Sequence, residues 1–374
     1  MKFGQRRGNR AERVAEDQDF FAAWREGRDV IEKEFIGRIP GLEQLVLSFG
    51  VTVEGKVSSE GIFQDIHHRV SLNFHAVPPN VKFFPIPRPF YGWDNLGMLT
   101  SHWINRIGLP IFHIAAIVGL LTVAPTLPAV ILGLLLYTIR GFGITVGYHR
   151  YFTHESFKTS RPVAFVLALF GGLAGQGSAS WWVYRHRMHH RYTDRVGDPH
   201  SPRVDGFYHA HIGWLFRRPS AEALAGEDSL RREWPRELRV LDRWIPVLFL
   251  AQGAVLYAVG GWAFLAWAYF IPTFFSHHFT FLVNSLCHVS GDRLFDTQDD
   301  SRNNPYFGAI MFGEGWHNNH HAWPKNARLG LRPSQIDLGF LFIQFLALTG
   351  LAWNVTAKSE DEIRNAVKRY AIVS

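Results

Sequence analysis

Long apolar blocks alternate along this chain with shorter polar ones rich in arginine and histidine. Ile107 to Ile139 holds no Asp, Glu, Lys or Arg, and Trp244 to Cys287 again holds none. A helix crosses a bilayer with about 20 apolar residues. The second block is therefore long enough for two passes with a tight turn near Gly260-Gly261. The first reaches two if it continues to about Tyr148, with a turn near Pro125-Thr126-Leu127-Pro128. The pattern predicts passes at about 107–124, 128–148, 244–260 and 262–287. Arg161 to Trp182 is apolar but interrupted by Gln176, Ser178 and Ser180, and reads as one in-plane or re-entrant helix. Leu338 to Val355 reads as an interfacial or packed helix, because an extra pass would carry the C-terminus across the membrane.

Upstream the pattern is weaker. Ala11 to Phe35 mixes both charge signs with partial helical character, and Gly41 to Asn80 alternates enough for a short hairpin or arm. Prolines at 78, 79, 85, 87 and 89 mark a stiff linker, and Phe90, Tyr91, Trp93 and Trp103 suit a membrane interface. The chain thus divides into a cytosolic extension and linker (1–95), a membrane domain (96–355) and a tail (356–374).

Charge orients the passes. The net charge is +7. Arginines gather after the first pair of passes (Arg140, Arg150, Arg185, Arg187, Arg191, then Arg217 to Arg243), while the outer turns carry no charge. This positive-inside asymmetry places both termini on the cytoplasmic side and points to a membrane partner rather than nucleic acid. The single cysteine, Cys287, excludes a disulfide framework and a thiolate zinc site. No apolar h-region follows Met1 to Arg7, so no cleaved signal peptide is expected.

Between the apolar blocks lie three histidine boxes: His149-Arg150-Tyr151-Phe152-Thr153-His154, His186-Arg187-Met188-His189-His190 and His317-Asn318-Asn319-His320-His321. They hold eight of the 19 histidines, all on the expected cytoplasmic side. Positions i, i+3 and i+4 share a helix face, so each HxxHH run can aim at one point. A ninth histidine, His288, ends Asn284-Ser285-Leu286-Cys287-His288, one turn from Asn284. Nine imidazoles exceed the needs of one ion and suit two. The boxes lack bridging carboxylates, which separates them from carboxylate di-iron bundles. Neutral imidazoles suit iron, zinc or copper, and an all-nitrogen iron site with open positions can activate dioxygen. Zinc hydrolysis would want HExxH, which is absent. Of the remaining ten histidines, His67, His68, His75, His102 and His113 read as surface or interface residues. His200, His209, His211, His277 and His278 are candidates for supporting the ligands from behind.

HRxxxH, HRxHH, NSxxH and Gly313-Glu314-Gly315-Trp316-His317-Asn318-Asn319-His320-His321 together resemble the membrane fatty acyl desaturases, most closely the stearoyl-CoA Δ9 group in its bacterial form without a fused cytochrome b5. Gly143 to Gly147, Gly197-Asp198-Pro199-His200, Gly213-Trp214-Leu215 and Gly350 to Trp353 also fit, so the resemblance spans roughly Leu96 to Val355. It implies an all-α integral membrane protein with four transmembrane helices and a cytosolic helical cap around a polyhistidine di-iron site. One Fe2+ would draw on His149, His154, His186 and His190. The other would draw on His189, His288, His317, His320 and His321, with Asn284 acting through a water. The implied acyl tunnel bends beside Gln176, Trp182 and Thr280 and ends near Tyr137 and Gly141, where a small residue leaves room for a long chain. Arg217 and Arg218 fit a phosphate-binding pair for an acyl-CoA head.

The implied reaction is O2-dependent cis Δ9 desaturation of C16–C18 acyl chains, with the histidines as ligands. Acyl-CoA is the leading carrier and an acyl-lipid the alternative. No haem, CxxC or GxGxxG signature supplies electrons, so a ferredoxin, rubredoxin, cytochrome b5 or flavoprotein reductase must dock. Arg185 stands where the family commonly has Asp. Gly177 and Tyr184 replace residues that contact the CoA head, and Arg140 sits unexplained inside the second pass. A di-iron hydroxylase of alkanes, sterols or carotenoids would also use histidine boxes, but NSxxH and WHNNHH speak against it. A non-catalytic metal carrier or receptor would be free to lose its ligands.

Overall fold

The computed structural model describes residues 104–373. The readings above on residues 1–103 lie outside it. The described chain is built of helices, with one two-residue β pair joining Lys158–Thr159 to Ala352–Trp353.

The first apolar block forms α1 (Leu109–Thr122), led by a π turn at Ile104–Gly108, and α2 (Leu127–Phe142). Pro128 opens α2 where its missing N–H costs nothing. From Gly143 to Thr153 the same helix continues with π winding. The second block is α6 (Arg236–Phe264), a π stretch at Leu265–Phe270, and α7 (Ile271–Ser285). At Gly260 and Gly261 the backbone leaves the helical region, with φ +60° at Gly261, so the chain doubles back there. Among the described residues two helical segments, Leu127–Thr153 and Arg236–His288, are long and apolar enough to cross a membrane.

Small residues let these helices close. A methyl on Gly133 would lie 2.3 Å from the Trp267 carbonyl oxygen, which is how packed apolar helices approach without large side chains between them. Outward-facing Ile111, Leu121, Ile131, Leu134, Leu250 and Val259 remain exposed and form an apolar belt. Inside, Leu256, Ala268 and Tyr269 pack against Phe112, Leu132 and Phe249.

The segment Arg161 to Trp182 is not one in-plane helix. It divides into α3 (Arg161–Gly172) and the start of α4 (Ala179–Tyr192), separated by Gly175 and Gly177 at φ +71° and +89°. The helix α3 buries Leu167 and Ala168 against the π-wound stretch and α6. Further helices, besides three short ones at Pro202–Asp205, Phe207–His211 and Pro305–Gly308, are α5 (Ala221–Glu233), α8 (His317–Ala322), α9 (Leu338–Leu348) and α10 (Glu360–Val373). At 11 residues α9 is too short to span a bilayer. Its Ile343 and Leu346 pack on Val146 and Phe157 beside box 1.

Candidate metal centre

The first box depends on its winding. On an α-helix, residues five apart diverge by about 140°. A π-helix bonds i to i+5, and the His154 N–H donates to the His149 carbonyl at 3.2 Å. HxxxxH is therefore one π turn, and both imidazoles face the same way. Box 2 rides on α4, whose first turn is anchored from α6: Asp242 accepts the Ala179 and Ser180 N–H groups at 3.1 and 3.2 Å. Box 3 is α8, and its two asparagines fasten it. Asn318 accepts from the Leu294 and Phe295 N–H groups at 2.7 Å. Asn319 donates to the Leu329 carbonyl and accepts from Asn303, both at 2.8 Å.

Nine imidazoles gather at two points. His149, His154, His186, His190 and His320 form the first group, and His189, His288, His317 and His321 the second. An HxxHH run does not aim at one point, because i+3 and i+4 point about 100° apart. His186 and His190 enter the first group while His189 enters the second. Box 3 does the converse: His317 and His321 enter the second group and His320 the first. His320, expected with the second set, thus changes sides. Its Nε2 lies 3.1 Å from His149 Nε2 and 2.9 Å from His190 Nε2. In the second group the Nε2 pairs His288–His317 and His317–His321 are 3.0 and 3.1 Å apart.

These spacings fit a cation. Carboxylates hold the far nitrogen of four rings: Glu314 at His149 (2.6 Å), Asp198 at His189 (3.0 Å), Asp194 at His288 (2.9 Å) and Asp299 at His321 (3.1 Å). At His189, His288 and His321 the carboxylate accepts a hydrogen bond from Nδ1, which keeps the proton there and leaves a lone pair on Nε2. The Nε2 atoms of His189 and His321 then stand 3.3 Å apart, a contact that needs a shared proton or a metal ion between them. Imidazole–metal bonds of about 2.1 Å at right angles separate neighbouring nitrogens by about 3 Å. Burial first, then repulsion among neighbouring rings, pushes His154, His186, His190, His317 and His320 well below the usual imidazole range, so they stay neutral. His321 falls to about 4, again chiefly by burial. At His189 burial opposes the charged form, but Asp198 outweighs it and raises the value.

Two cavities meet at the histidines. The first runs between α2 and α7 from His149, His186 and His317 to Tyr137, Gly141, Met311 and Phe312. The second is lined by Leu109, Gln176, Trp181, Arg185, Trp214 and Leu215. Trp182, His186, Thr280 and Asn284 belong to both. At the junction Gln176 Nε2 donates to Thr280 Oγ1 at 2.9 Å. Gly141 lines this cavity, but the place a methyl would take there is filled by the Phe312 ring, 2.2 Å away. Tyr137 donates its hydroxyl to the Ile310 carbonyl at 2.9 Å.

The expected phosphate pair stands elsewhere. Arg217 bonds Asp205 at 3.0 Å, and neither it nor Arg218 lines these cavities. Arg185 does line the second, but it pairs with Glu227 at 2.9 Å and stacks on Trp181 at 4.2 Å. His200 stacks on His189 with ring centres 4.6 Å apart. His113, read as a surface or interface residue, instead contacts His278 at 3.1 Å. His278 in turn contacts His211 at 3.0 Å.

A fatty acid desaturase family model matches residues 124–335, which includes all three boxes and His288. The Δ9 acyl-lipid desaturase 1 of Arabidopsis thaliana is 42% identical over 243 residues, 64% of this chain and 79% of that protein. The sn-1 stearoyl-lipid 9-desaturase of Synechocystis is 35% identical over 273 residues, 73% of this chain and 86% of the relative. An acyl-CoA 5-desaturase of Anemone leveillei is 39% identical over 262 residues, 67% of this chain and 80% of the relative. The match covers more than half the chain and the whole histidine constellation, and this protein belongs to the fatty acid desaturase family.

Proposed function

We propose that the protein is an oxygen-dependent desaturase that introduces a cis Δ9 double bond into saturated C16–C18 acyl chains carried on a membrane lipid. The observation that carries this reading is the convergence of nine imidazoles, in groups of five and four, where two cavities meet. The nine histidines would hold two Fe2+ ions, with Asn284, which lines both cavities, acting through a water. Bound there, iron would supply oxygen-dependent removal of two hydrogens from adjacent carbons, with two external electrons and two protons, and both oxygens leaving as water. The chain's own residues position the substrate. Trp182, Gln176 and Thr280 shape the bend, which fixes the carbons presented to the histidines by their distance from the head group. Tyr137 and Phe312 close the far end. The passes would be the α1–α2 hairpin and the two arms meeting at Gly260-Gly261, with the histidine cap and both termini on the cytoplasmic side.

The second cavity favours a lipid carrier over CoA. Its wall is aromatic and apolar at Leu109, Trp181, Trp214 and Leu215, and its arginine is neutralised by Glu227. Relatives named acyl-lipid and stearoyl-lipid desaturases agree. The relative named as an acyl-CoA desaturase keeps acyl-CoA as the second reading. The test supplies the purified, iron-loaded protein with oxygen and a ferredoxin or cytochrome b5 system, and offers stearoyl-phospholipid or stearoyl-CoA. A Δ9 oleoyl product on the phospholipid, lost in His320→Ala, supports the proposal. Product only on CoA transfers the carrier to the second reading. Hydroxylated product, or none on either substrate, overturns desaturation.

A further inference from the structure

The two histidine groups are not built alike. The second has four imidazoles, three of them backed by a carboxylate: His189 by Asp198, His288 by Asp194 and His321 by Asp299. The first has five, and only His149 is backed, by Glu314. The surroundings widen the gap. Glu314 also pairs with the buried Arg150 guanidinium, which removes much of its charge from the first group. The other partners of Asp194, Asp198 and Asp299 are neutral hydroxyls, backbone N–H groups and His200.

Magnitudes decide which difference wins. A carboxylate behind a ligating imidazole raises its basicity and is worth roughly 10- to 100-fold in metal affinity. Two more such carboxylates favour the second group by about 100-fold or more. The first group's counterweight is one additional neutral imidazole, which replaces a water and brings no charge. We infer that Asp194, Asp198 and Asp299 act as positioning residues that make the four-histidine group the tighter of two unequal metal sites, so that it fills first and empties last. This rests on the reading of both groups as metal sites.

The test uses the full chain in detergent, stripped of metal and titrated anaerobically with Fe2+ against a competing chelator. Metal per chain is counted by mass spectrometry, and the iron environment is read by Mössbauer spectroscopy at one 57Fe per chain. Two binding steps at least 10-fold apart and one dominant iron spectrum at one equivalent are expected. Asp299→Asn and Asp194→Asn keep the shape of the carboxylate and should each weaken only the tight step, while Glu314→Gln should weaken only the loose one. Thermal melting of each metal-free variant separates these effects from misfolding. Equal steps in the parent chain, or a tight step moved by Glu314→Gln, overturns the ranking. A parent chain that binds no iron overturns instead the metal reading beneath it.

Discussion

Arg140 and Arg150 lie on one continuous helical stretch, both 1% exposed, in opposite company. Arg140 is held by neutral groups: it donates to Thr273 Oγ1 at 2.9 Å and to Gln252, and its guanidinium lies 5.5 Å from the Tyr269 ring centre. Arg150 is wrapped in charge. It pairs with Asp337 at 2.9 Å and Glu314 at 3.3 Å, and donates to the carbonyls of Ala327 and Phe312 at 2.8 and 3.2 Å. A cation inside the apolar bundle is tolerated by polar side chains from α6 and α7 without a counter-charge. At the edge of the histidine groups the cation is instead the hub of an anionic network. Asp337 also caps α9 through the Phe340 N–H at 2.9 Å, and Glu314 orients His149. Removing Arg140 therefore removes a charge, whereas removing Arg150 strands two.

Perturbation separates the two cases. Arg150→Met leaves Asp337 and Glu314 buried without their cation, and should cost about 3–5 kcal/mol. The readout is the thermal unfolding midpoint in detergent, and an unchanged midpoint would remove the hub. Glu314→Gln keeps the shape but takes one charge from Arg150 and the anchor from His149. It should lower iron affinity roughly 10- to 100-fold with a smaller drop in midpoint. Arg140→Met removes a cation that no carboxylate pairs, so it strands no buried charge. Its midpoint should stay within about 1 kcal/mol of the parent, and a loss as large as that of Arg150→Met would erase the contrast. Phe312 touches both neighbourhoods, since its carbonyl accepts from Arg150 and its ring covers Gly141. Phe312→Leu should cost about 1 kcal/mol but shift the product profile severalfold toward longer chains. An unchanged profile in an active variant would remove Phe312 as the end of the cavity.

What the sequence displayed, and what it hid, follows from range. The apolar blocks and the break at Gly260-Gly261 were legible because hydropathy and glycine act locally. So was the gathering of histidines, since box spacing and NSxxH keep imidazoles on one side of each helix. The division of each box between two groups was not legible. It depends on a 100° difference between i+3 and i+4 that acquires meaning only when α4 and α8 face each other. The π winding of box 1 was missed, although its five-residue spacing was the available signal. Asp194, Asp299 and Glu314 were missed as partners of the rings because each reaches its histidine through tertiary folding, and Asp198, nine positions after His189, because it lies beyond the end of α4. Asp194 meets a ring 94 positions away. Arg140 was puzzling in sequence for the same reason: Thr273 and Gln252 lie more than 100 positions downstream.

The exchange of the middle histidines between boxes 2 and 3 also bears on how the cap lets go. His190 meets His320 across 130 residues, and His189 meets His321 across 132. An ion at either point would staple α4 to α8, and two ions would staple them twice in crossed fashion. Neither helix could then peel away carrying its own metal, because each box is shared with the other's ion. Metal escape becomes a question of how often the cap opens, and the lifetime of the loaded state should follow local unfolding rather than the strength of any single bond.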